Sequence, residues 1–396
     1  MARLAIDLFC GCGGISAGLS MAGYEIVAGF DVDKHYISTF KHNFPSACSV
    51  LGNIVDIKPA DFVLRTGISS GNLDLLVGGP PCQGFSKNVP RKLRYLDDPK
   101  NLLVKSFLDY AEHLKPKVLL MENVAEMKNG FEGQYTEEVI NRLGAAGYTV
   151  THGVLNAADY GVPQRRRRAF FMANREGLHF RVPQPTHVPR TVTPLLFNGA
   201  THVSVWEAIS DLPPLGHGEG EQVMPYATPP TSEFQRRVRN AHGYVRNHVA
   251  RHLRDTQHQR LAALQPGQGH KDLPEHLRVK TGYSGAYGRL TKDMIAPTIT
   301  RWVFHPGSGR YGHPVDTRVL TIREVARIQG FPDSYEFVGT YTQQAGQLGN
   351  AVPPLLAYAV ISDLDEQLRR HRRSNSSVSR SNDTLSLGFG EGKVIA

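Results

Sequence analysis

The sequence predicts an α/β fold with a doubly wound, mostly parallel sheet and a second, smaller, loop-rich domain. Three observations lead to this prediction. Short apolar runs alternate with amphipathic stretches up to about residue 175, a glycine-rich turn follows the first run, and prolines interrupt the chain from about residue 176. Alternating strands and helices favour a parallel sheet, whereas closely spaced prolines favour loops.

The predicted strands and helices follow one another in a regular order. RLAIDLF (3–9) forms the first strand, and Ile15, Leu19 and Ala22 then have the spacing of one helical face. The other elements predicted in this half are the strand EIVAGFDVD, a helix over about 33–43, the strands LDLLVGGPP and VLLMENV, and the closing strands YTVTHGVL and RAFFMA.

The second half of the chain has a different texture. The stretch 234–260 carries seven arginines and four histidines against one acid, Asp255. Regularity returns after about residue 315, where LTIREVARIQGF and AVPPLLAYAVISDLDEQL are predicted to be helices. The tail from about residue 373 is rich in Ser and poor in apolar residues, so we predict that it is disordered.

Composition limits the class of protein. Of the 396 residues 40% are hydrophobic, and no run approaches the roughly 18–20 apolar residues that span a bilayer. The four cysteines, at 10, 12, 48 and 82, have neither disulfide nor zinc spacing. We therefore expect free thiols, no metal and an intracellular protein, in the cytoplasm or nucleoid if the source is prokaryotic. The net charge of +9 favours a polyanionic partner.

The turn in DLFCGCGGISAGL is a candidate ligand site. Gly11 and Gly13 let a ligand approach the backbone, but Ser16 breaks the G-x-G-x-x-G spacing of a dinucleotide site. Asp31, 20 residues after Gly11 and at the end of the second strand, is placed to accept hydrogen bonds from a ribose. The pattern favours a nucleoside without phosphates, with a tight turn that binds nothing as the alternative.

The stretch GGPPCQGFS (78–86) directly follows a predicted strand. In a doubly wound sheet, ligand sites form beyond the carboxyl ends of the strands. Pro80 and Pro81 fix the backbone φ and stiffen the loop, so Cys82 is presented in a defined direction. We interpret Cys82 as a nucleophile once ionised, with a buried structural cysteine as the alternative.

Two further motifs place charged groups at strand ends. Glu122 in MENV follows four apolar residues, where desolvation would raise its pKa and suit a proton donor. A turn or helix-capping carboxylate is the alternative. In QRRRRAFFMA, strand alternation sends Arg166 and Arg168 to one side and Arg165 and Arg167 to the other. One pair can then face the site while the other faces solvent or phosphate, with a fully solvated charge run as the alternative.

Together these motifs resemble those of the cytosine-C5 DNA methyltransferase family, in the family's order and over most of the chain. DLFCGCGG resembles its first motif, GGPPCQGFS its nucleophile loop, ENV its acid motif and QRRRR its Q-x-R-x-R motif. LTIREVARIQGFP and QLGNAVPP resemble its late motifs, and GYSGAYGRL and APTIT are also similar. The combination is far more specific than any single short motif.

The resemblance implies a Rossmann-like methyltransferase core that uses S-adenosylmethionine and no metal. It implies a catalytic and cofactor-binding domain at 1–178, a target recognition domain at 179–312 and late motifs at 313–372 that return to the first domain, with 373–396 as the tail. The implied catalytic residues are Cys82, Glu122, Arg166 and Arg168. The implied cofactor-binding residues are Asp7, Phe9, Gly11, Gly13, Asp31, Val32, Asn53, Ile54, Pro80, Asn350 and Ala351.

The resemblance also implies the reaction. The Cys82 thiolate attacks C6 of a cytosine flipped out of a duplex, Glu122 neutralises N3, Arg168 with Arg166 holds O2, and C5 takes the methyl group. The stretch 234–260 is expected to contact DNA, with an exposed basic helix that has no DNA role as the alternative.

Two positions depart from the family pattern. GNI places Asn53 where the family usually has an Asp, and its amide oxygen still accepts a hydrogen bond but carries no charge. Val32 offers less stacking area to an adenine ring than the bulky residue that is usual there.

Rival functions come from three classes. A tRNA methyltransferase of the same architecture would have PPCQPF and a later Cys-Phe-Thr signature, whereas this chain has PPCQGF and no cysteine after Cys82. A silent DNA-binding regulator would not need the intact motifs, and a redox or hydrolase enzyme would need a His near the thiol. The expected partners are double-stranded DNA and a cognate restriction endonuclease acting on the same site, unless the enzyme is solitary, and we expect a monomer on DNA.

Overall fold

The structure is a computed structural model that describes residues 2–81, 102–127, 134–192, 199–279 and 285–386, without the side chains of 134 and 377–386. Within these residues the central sheet has seven strands: β1 (Arg3–Leu8), β2 (Tyr24–Asp31), β3 (Cys48–Leu51), β4 (Leu75–Gly78), β5 (Val118–Val124), β6 (Thr149–Asn156) and β7 (Arg167–Asn174). Their order across the sheet is β3-β2-β1-β4-β5-β7-β6. Strands β1 to β5 pair in parallel, whereas β7 lies antiparallel between β5 and β6.

Helices follow most of these strands. The helices of the first half are α1 (Gly14–Met21), α2 (Lys34–Asn43), α3 (Pro59–Thr66), α4 (Leu102–Leu114) and α5 (Gln134–Ala145). Those of the second half are α6 (Val205–Ile209), α7 (Glu233–Val238), α8 (Asp255–Ala262), α9 (Ile322–Ile328), α10 (Tyr341–Asn350) and α11 (Pro354–Ser386). Short 3-10 helices cover Ala157–Tyr160, His270–Asp272, Glu275–Leu277 and Pro306–Ser308.

The sheet is buried on both faces because its strands alternate between two hydrophobic cores. Ala5 of β1 packs into one core with Leu19 of α1, whereas Ile6 and Leu8 pack into the other core with Phe62 of α3. A parallel sheet covered on both faces needs nearly continuous apolar strands, and RLAIDL and LLVG have this composition. The predicted doubly wound, mostly parallel sheet is confirmed.

Sequence reasoning located six of the seven strands that the structure describes in this sheet, and missed β3. CSVL has only four residues at the edge of the sheet, where it pairs with β2 alone, so its pattern is too short to detect. Helices α3, α4 and α5 were also not predicted. These three helices pack on the face of the sheet that Ile6 and Leu8 enter. They are needed because parallel strands are joined by crossover connections, which are usually helices.

The region between β7 and α9 is built differently. Besides short helices it contains two small sheets, a parallel pair of β8 (His187–Val188) with β9 (Ala200–Thr201) and an antiparallel pair of β10 (Gly220–Pro225) with β11 (Tyr244–Val249). Val205, Phe234 and Val245 of this region belong to the same core cluster as residues of β1 and α11, whereas Leu264 and Leu273 belong to a small cluster of their own. Because part of the core is shared with the sheet, a separate second domain over 179–312 stays a prediction.

The predicted tail begins within a helix, whereas residues 387–396 lie outside the described residues and their disorder stays a prediction. Helix α11 continues to Ser386, beyond the expected boundary at about residue 373. No Pro or Gly occurs between Leu355 and Leu387, so nothing in that stretch breaks a helix once the buried first half has nucleated it. Among the residues that the structure describes, no helix is long and apolar enough to cross a membrane.

Candidate active site

The carboxyl ends of β1, β4 and β5 meet at one edge of the sheet. Leu8 lies opposite Gly78, and Gly78 lies opposite Met121. A Cβ at Gly78 would come within 2.5 Å of the Leu8 carbonyl oxygen, so this close approach requires glycine. The segments that follow these three residues therefore emerge side by side, which brings the glycine-rich turn, the GGPP loop and ENV to one place.

Glu122 and Arg168 form an ion pair at this edge. Glu122 lies opposite Phe170 in the antiparallel ladder, so Arg168, two residues before Phe170, projects to the same face as Glu122. Arg168 Nε lies 2.7 Å from Glu122 Oε1, and the two side chains are 17% and 10% exposed. Strand register alone therefore places a guanidinium against a buried carboxyl.

The pKa of Glu122 is raised above its ordinary value. Burial raises this pKa, and the positive charges of Arg168 and Arg166 lower it by less. A carboxyl beside arginines normally has a low pKa, so the upward direction means that desolvation outweighs the ion pair. Such a carboxyl can hold a proton at a pH where an exposed glutamate has lost it, which suits a proton donor.

The loop after β4 begins directly against this pair. A Cβ at Gly79 would lie 3.1 Å from Glu122 Oε2, and Asn123 Nδ2 donates a hydrogen bond of 3.0 Å to the carbonyl of the buried Pro80. Cys82, the predicted nucleophile, lies outside the described residues, as does the rest of the loop to residue 101. The described part fixes the start of the loop beside Glu122.

Arg166 bridges distant parts of the chain. Its side chain is buried, with Nη1 donating to the Ile299 carbonyl and Nη2 to the Gly349 carbonyl, both at 3.0 Å. The predicted alternation is confirmed, because Arg165 and Arg167 are exposed. Burial and the neighbouring Arg168 lower the pKa of Arg166.

Asp31 lies at the end of β2, next to the glycine-rich turn. Its Oδ2 accepts a 2.8 Å hydrogen bond from the Gly11 amide, and its Oδ1 accepts one of 2.9 Å from the Asp33 amide. Burial raises the pKa of this carboxyl, although the two backbone amides oppose the rise. The carboxylate is thus fixed by backbone donors beside a turn that carries no side chain at Gly11.

Asp7 is buried beneath the same turn. Its Oδ2 accepts a hydrogen bond from Ser16 Oγ at 2.5 Å, whereas its Oδ1 is buried without a hydrogen-bond partner among the described residues. Burial raises the pKa of Asp7 to about 7. The Asp7 carboxyl, which lies next to the glycine-rich turn, therefore changes its charge near neutral pH.

The backbone of the turn is held in an unusual shape. Phe9 has φ 62° and Gly13 has φ 90°, both in the left-handed region. A non-glycine residue there costs about 1–3 kcal/mol, which the surrounding contacts offset. Tyr335 supplies one such contact, since its hydroxyl donates to the Cys12 carbonyl and occupies the space that a Cβ at Gly13 would need.

The predicted adenine-side residues lie at the ends of β2 and β3. The Gly52 amide donates to the Asp31 carbonyl at 3.0 Å, which places the GNI turn beside the end of β2. Asn53 is exposed there, Ile54 is buried, and Val32 is 69% exposed. An exposed amide and an exposed apolar side chain therefore flank Asp31.

The late motif GNAVPP returns to this edge. Asn350 Nδ2 donates to the Tyr36 hydroxyl at 3.1 Å, and Ala351 is buried. A Cβ at Gly349 would overlap the backbone of Thr300 and Arg301, so the end of α10 packs directly on that segment. Among the described residues, no group of His, Cys, Asp or Glu is arranged to hold a metal ion.

A family model for C-5 cytosine-specific DNA methylases matches residues 4–366. The chain belongs to this family. The predicted family and the prediction of an enzyme are confirmed, and the methylase accordingly acts as a DNA (cytosine-5-)-methyltransferase. Enzymes of the family depend in general on S-adenosylmethionine.

Named relatives agree over most of the methylase's length. It is 35% identical to the Type II methyltransferase M.DdeI of Desulfomicrobium norvegicum, over 95% of this chain and 92% of that protein. It is 33% identical to the Type II methyltransferase M1.HphI of Haemophilus parahaemolyticus, over 91% of this chain and 86% of that protein. The sequence is thus similar to modification enzymes over nearly their whole length.

A solved structure shows the same fold. The crystal structure of a prophage-encoded protein from E. coli, described as a DNA modification methyltransferase, has a TM-score of 0.74 and 24% identity and covers 93% of the methylase and all of that chain. At this identity the likeness concerns the fold alone.

Sequence reasoning missed several residues that support the site in the methylase. Gln164 Nε2 donates to Gln329 Oε1 at 2.8 Å, and Gln164 Oε1 accepts from the Ile299 amide at 2.8 Å. Gln329 in turn donates to the Leu348 carbonyl. Both glutamines stand in quoted motifs, QRRRR and RIQGF, but only three-dimensional contact shows that they join each other.

Proposed function

We propose that the methylase transfers a methyl group from S-adenosylmethionine to C5 of a cytosine that is flipped out of a specific duplex DNA sequence, through a covalent bond between Cys82 and C6. The observation that carries the proposal is the buried Glu122–Arg168 pair at the start of the loop that leads to Cys82. A carboxyl with a raised pKa can share its proton with a ring nitrogen of a pyrimidine. A guanidinium fixed beside it can bind the pyrimidine oxygen that gains negative charge.

In this mechanism the Cys82 thiolate forms a bond to C6, and electrons of the C5–C6 double bond move toward C5 and the N3–O2 side of the ring. Glu122 holds its proton at N3 and so neutralises the charge that develops there. We assign Arg168 Nη2 to O2. Arg166 differs from its predicted direct contact, because its terminal nitrogens already bind main-chain carbonyls, and we assign it to positioning Arg168 and the late motif.

The second half of the reaction restores the thiol and the double bond. As C5 forms its bond to the methyl carbon, the bond from that carbon to the donor sulfur breaks with its electrons staying on sulfur, and the N3 proton returns to Glu122. The C5 proton then leaves to a base, for which a bound water is our candidate. The electrons of the broken C5–H bond reform the C5–C6 double bond, and the C6–S bond breaks with its electrons returning to Cys82. General acid–base help of this kind is typically worth about 10²–10⁴-fold in rate.

The turn at the ends of β1, β2 and β3 fits a nucleoside cofactor. When bound, S-adenosylmethionine supplies an electrophilic methyl group. We assign Asp31 to the ribose diol, Asn53 and Ile54 to the adenine amino edge and Val32 to the adenine face, because these side chains flank the open glycine turn. The remaining assigned contacts are Asp7, Phe9, Gly11, Gly13, Pro80, Asn350 and Ala351.

Double-stranded DNA is the proposed substrate, and the Arg/His-rich stretch 234–260 is proposed to contact it. Flipping the base costs a few kcal/mol, which contacts to backbone and base edges must offset. A restriction endonuclease acting on the same sequence is the proposed partner, which the similarity to proteins named Type II methyltransferases supports, and the enzyme is proposed to act as a monomer inside the cell.

The test is transfer of label from S-adenosylmethionine to duplex DNA by the wild type and by Cys82→Ala. We expect label at C5 of cytosine with the wild type and none with the variant, while the variant keeps its affinity for duplex DNA. Equal incorporation by the variant would overturn the covalent mechanism, and label on tRNA instead of DNA would overturn the substrate. Bisulfite sequencing of DNA from expressing cells then identifies the sequence that is modified.

A further inference from the structure

An exposed tryptophan stands beside the active site without a role in the mechanism. Trp302 is 53% exposed, although the segment that carries it is otherwise well packed. Its neighbours Val303 and Phe304 are buried, at 1% and 7% exposure. Large aromatic side chains usually gain stability by burial, so one held in solvent by a rigid segment indicates a binding surface.

The segment is rigid because both main-chain groups of Trp302 are hydrogen-bonded, its amide donating to Thr300 Oγ1 at 3.4 Å. The His305 amide donates to the Trp302 carbonyl at 2.9 Å, which begins the short 3-10 helix Pro306–Ser308. Ser308 Oγ donates to the same carbonyl. The Trp302 ring also packs on the Phe304 ring, with the two centroids 5.7 Å apart. The indole is therefore held in place before any partner binds.

Cationic side chains lie against this indole and against the adjoining Phe304 ring. The Arg301 guanidinium lies 5.5 Å from the Trp302 ring centroid, and that of Arg251 lies 4.7 Å from the Phe304 ring. Arg251 Nη1 also donates to the Phe304 carbonyl at 2.8 Å. We call Arg251, Arg254, Arg301, Trp302 and His305 the Trp302 surface.

The pKa of His305 agrees with a cationic environment. Burial lowers this pKa, and the positive charges of Arg251 and Arg254 lower it further. These two arginines come from the predicted Arg/His-rich stretch, whereas Trp302 and His305 come from the segment after APTIT. The fold thus combines basic and aromatic residues that are about fifty positions apart in sequence, a combination typical of nucleic-acid contacts.

The Trp302 surface is continuous with the active site. Arg166 binds the Ile299 carbonyl, three residues before Trp302, and lies next to Arg168 in the catalytic pair. On the other side, Arg301 is close enough to Tyr36 to lower its pKa, although burial of Tyr36 raises that pKa more. Tyr36 is the residue that Asn350 binds. A duplex whose base enters the active site would therefore pass over this surface.

We propose that the Trp302 surface is a contact site for the DNA duplex next to the target cytosine, in which the indole of Trp302 packs on a base or deoxyribose and the arginines bind phosphates. The inference rests on the proposed function, because it takes duplex DNA as the substrate. It adds the residues that hold the duplex at the site. Charge complementarity and continuity with the active site support DNA over a protein partner.

A first experiment observes Trp302 directly. The chain has two tryptophans, so Trp206→Phe leaves Trp302 as the only one. The variant is titrated with a linearised plasmid while its tryptophan fluorescence and its electrophoretic mobility are recorded. We expect quenching and protection from acrylamide at the concentrations that retard the protein. Retardation with unchanged fluorescence and unchanged acrylamide accessibility would overturn the proposal.

A second experiment measures the effect on turnover of the same plasmid. Trp302→Ala is expected to raise KM for DNA by about five- to a hundredfold, the range for loss of one aromatic–base contact. Trp302→Phe should recover most of this loss, and the Kd for S-adenosylmethionine should stay within about twofold in both variants. Leu64→Ala removes an 83% exposed side chain elsewhere and should change neither quantity. A KM for DNA unchanged in Trp302→Ala would contradict the proposal.

A third measurement tests the phosphate contacts. Arg254→Gln should reduce the dependence of log Kd on log salt by about 0.9, the value for one phosphate contact. Its matched control is Arg369→Gln, because Arg369 lines a cavity with Arg3 and Val118 at the amino ends of the strands, away from the active site. Equal salt slopes for Arg254→Gln and Arg369→Gln would show that Arg254 binds no phosphate. Plasmid binding with Trp302 quenching but no methyl transfer would refute the proposed function and leave the DNA surface standing.

Discussion

The catalytic edge of the sheet and the loop-rich part of the chain from β8 to Asp333 hold their buried charges in different ways. At the edge, the register between β5 and β7 sets Glu122 against Arg168. In the loop-rich part, Arg327 of α9 reaches across loops to Asp211 and Asp333, and all three side chains are fully buried. Strand register therefore fixes the charged pair at the edge, whereas a single long side chain joins separate loops in the loop-rich part.

The largest expected effect concerns the catalytic pair. Glu122→Gln keeps the shape of the side chain and its neighbour Arg168, but cannot give a proton to N3. We expect kcat to fall by about 10²–10⁴-fold while the Kd for S-adenosylmethionine is unchanged. Single-turnover rates against pH add a second readout: the raised pKa of Glu122 should limit the wild type on the alkaline side, and the variant should lack that limb. A wild-type kcat in Glu122→Gln would show that Glu122 takes no part in the reaction.

The next prediction weakens the loop-rich part alone. Arg327→Met removes the cation that joins two buried carboxylates and leaves only Arg239 beside Asp211 and Arg323 beside Asp333. Breaking such a buried pair costs about 3–5 kcal/mol in the free energy of unfolding. Urea denaturation measures the loss, and hydrogen exchange should show it first in α6, α7 and α9 rather than in β1, β4 and β5. Arg370→Met is the matched control, since Arg370 is 75% exposed and its pair with Glu366 lies in solvent, where ion pairs contribute little to stability. An equal increase of hydrogen exchange in both regions would show that Arg327 does not stabilise α6, α7 and α9 selectively.

A pH-dependent effect is expected at the catalytic edge. The pKa of Asp7 is raised to about 7 in the folded protein, from an ordinary value of 3.8. Between these values the unfolded chain loses this proton while the folded protein keeps it, so the stability present below pH 4 is lost as pH rises toward 7, at about 1.4 kcal/mol for each pKa unit. Asp7→Asn should remove this dependence when unfolding is followed from pH 4 to 8. The exposed Asp56→Asn serves as control, and parallel curves for Asp7→Asn and the wild type would be the contrary result.

The smallest predicted effect lies where the two regions touch. Tyr335→Phe removes the hydroxyl that binds the Cys12 carbonyl under the glycine-rich turn, and leaves a buried acceptor unpaired. We expect a loss of about 1–3 kcal/mol in unfolding free energy, toward the lower end because the ring remains packed. The Kd for S-adenosylmethionine should rise by a few fold, measured by calorimetry. An unchanged Kd would show that the turn keeps its shape without this contact.

The contrast between the regions also explains what the sequence could predict. β1, β4 and β5 were found because their apolar runs are buried on both faces, and Arg166 and Arg168 were placed on one side of their strand because side chains alternate along a strand. Asp31 and Gly11 were joined by spacing alone, and the structure places them in hydrogen-bond contact. The locations of these residues therefore follow from local periodicity.

The remaining contacts depend on long-range packing that periodicity does not carry. Gln164 and Gln329 are 165 positions apart, and a glutamine side chain has no preferred hydrogen-bond partner that the sequence would reveal. Trp302 appears in sequence as one more aromatic after APTIT, and only the packing of Arg251 on Phe304 brings the basic stretch to it. The loop with Cys82 lies outside the described residues, so its nucleophile stays a prediction.

Gly349 shows how a single missing side chain can set a distance. Its place in GNAVPP is not demanded by a turn; the backbone of Thr300 and Arg301 occupies the space of its Cβ. A larger residue would separate Asn350 from the segment that carries Trp302. The distance between Asn350, a proposed cofactor contact, and the proposed Trp302 surface is thus set by the absence of one methyl group, and Gly349→Ala would push the two apart.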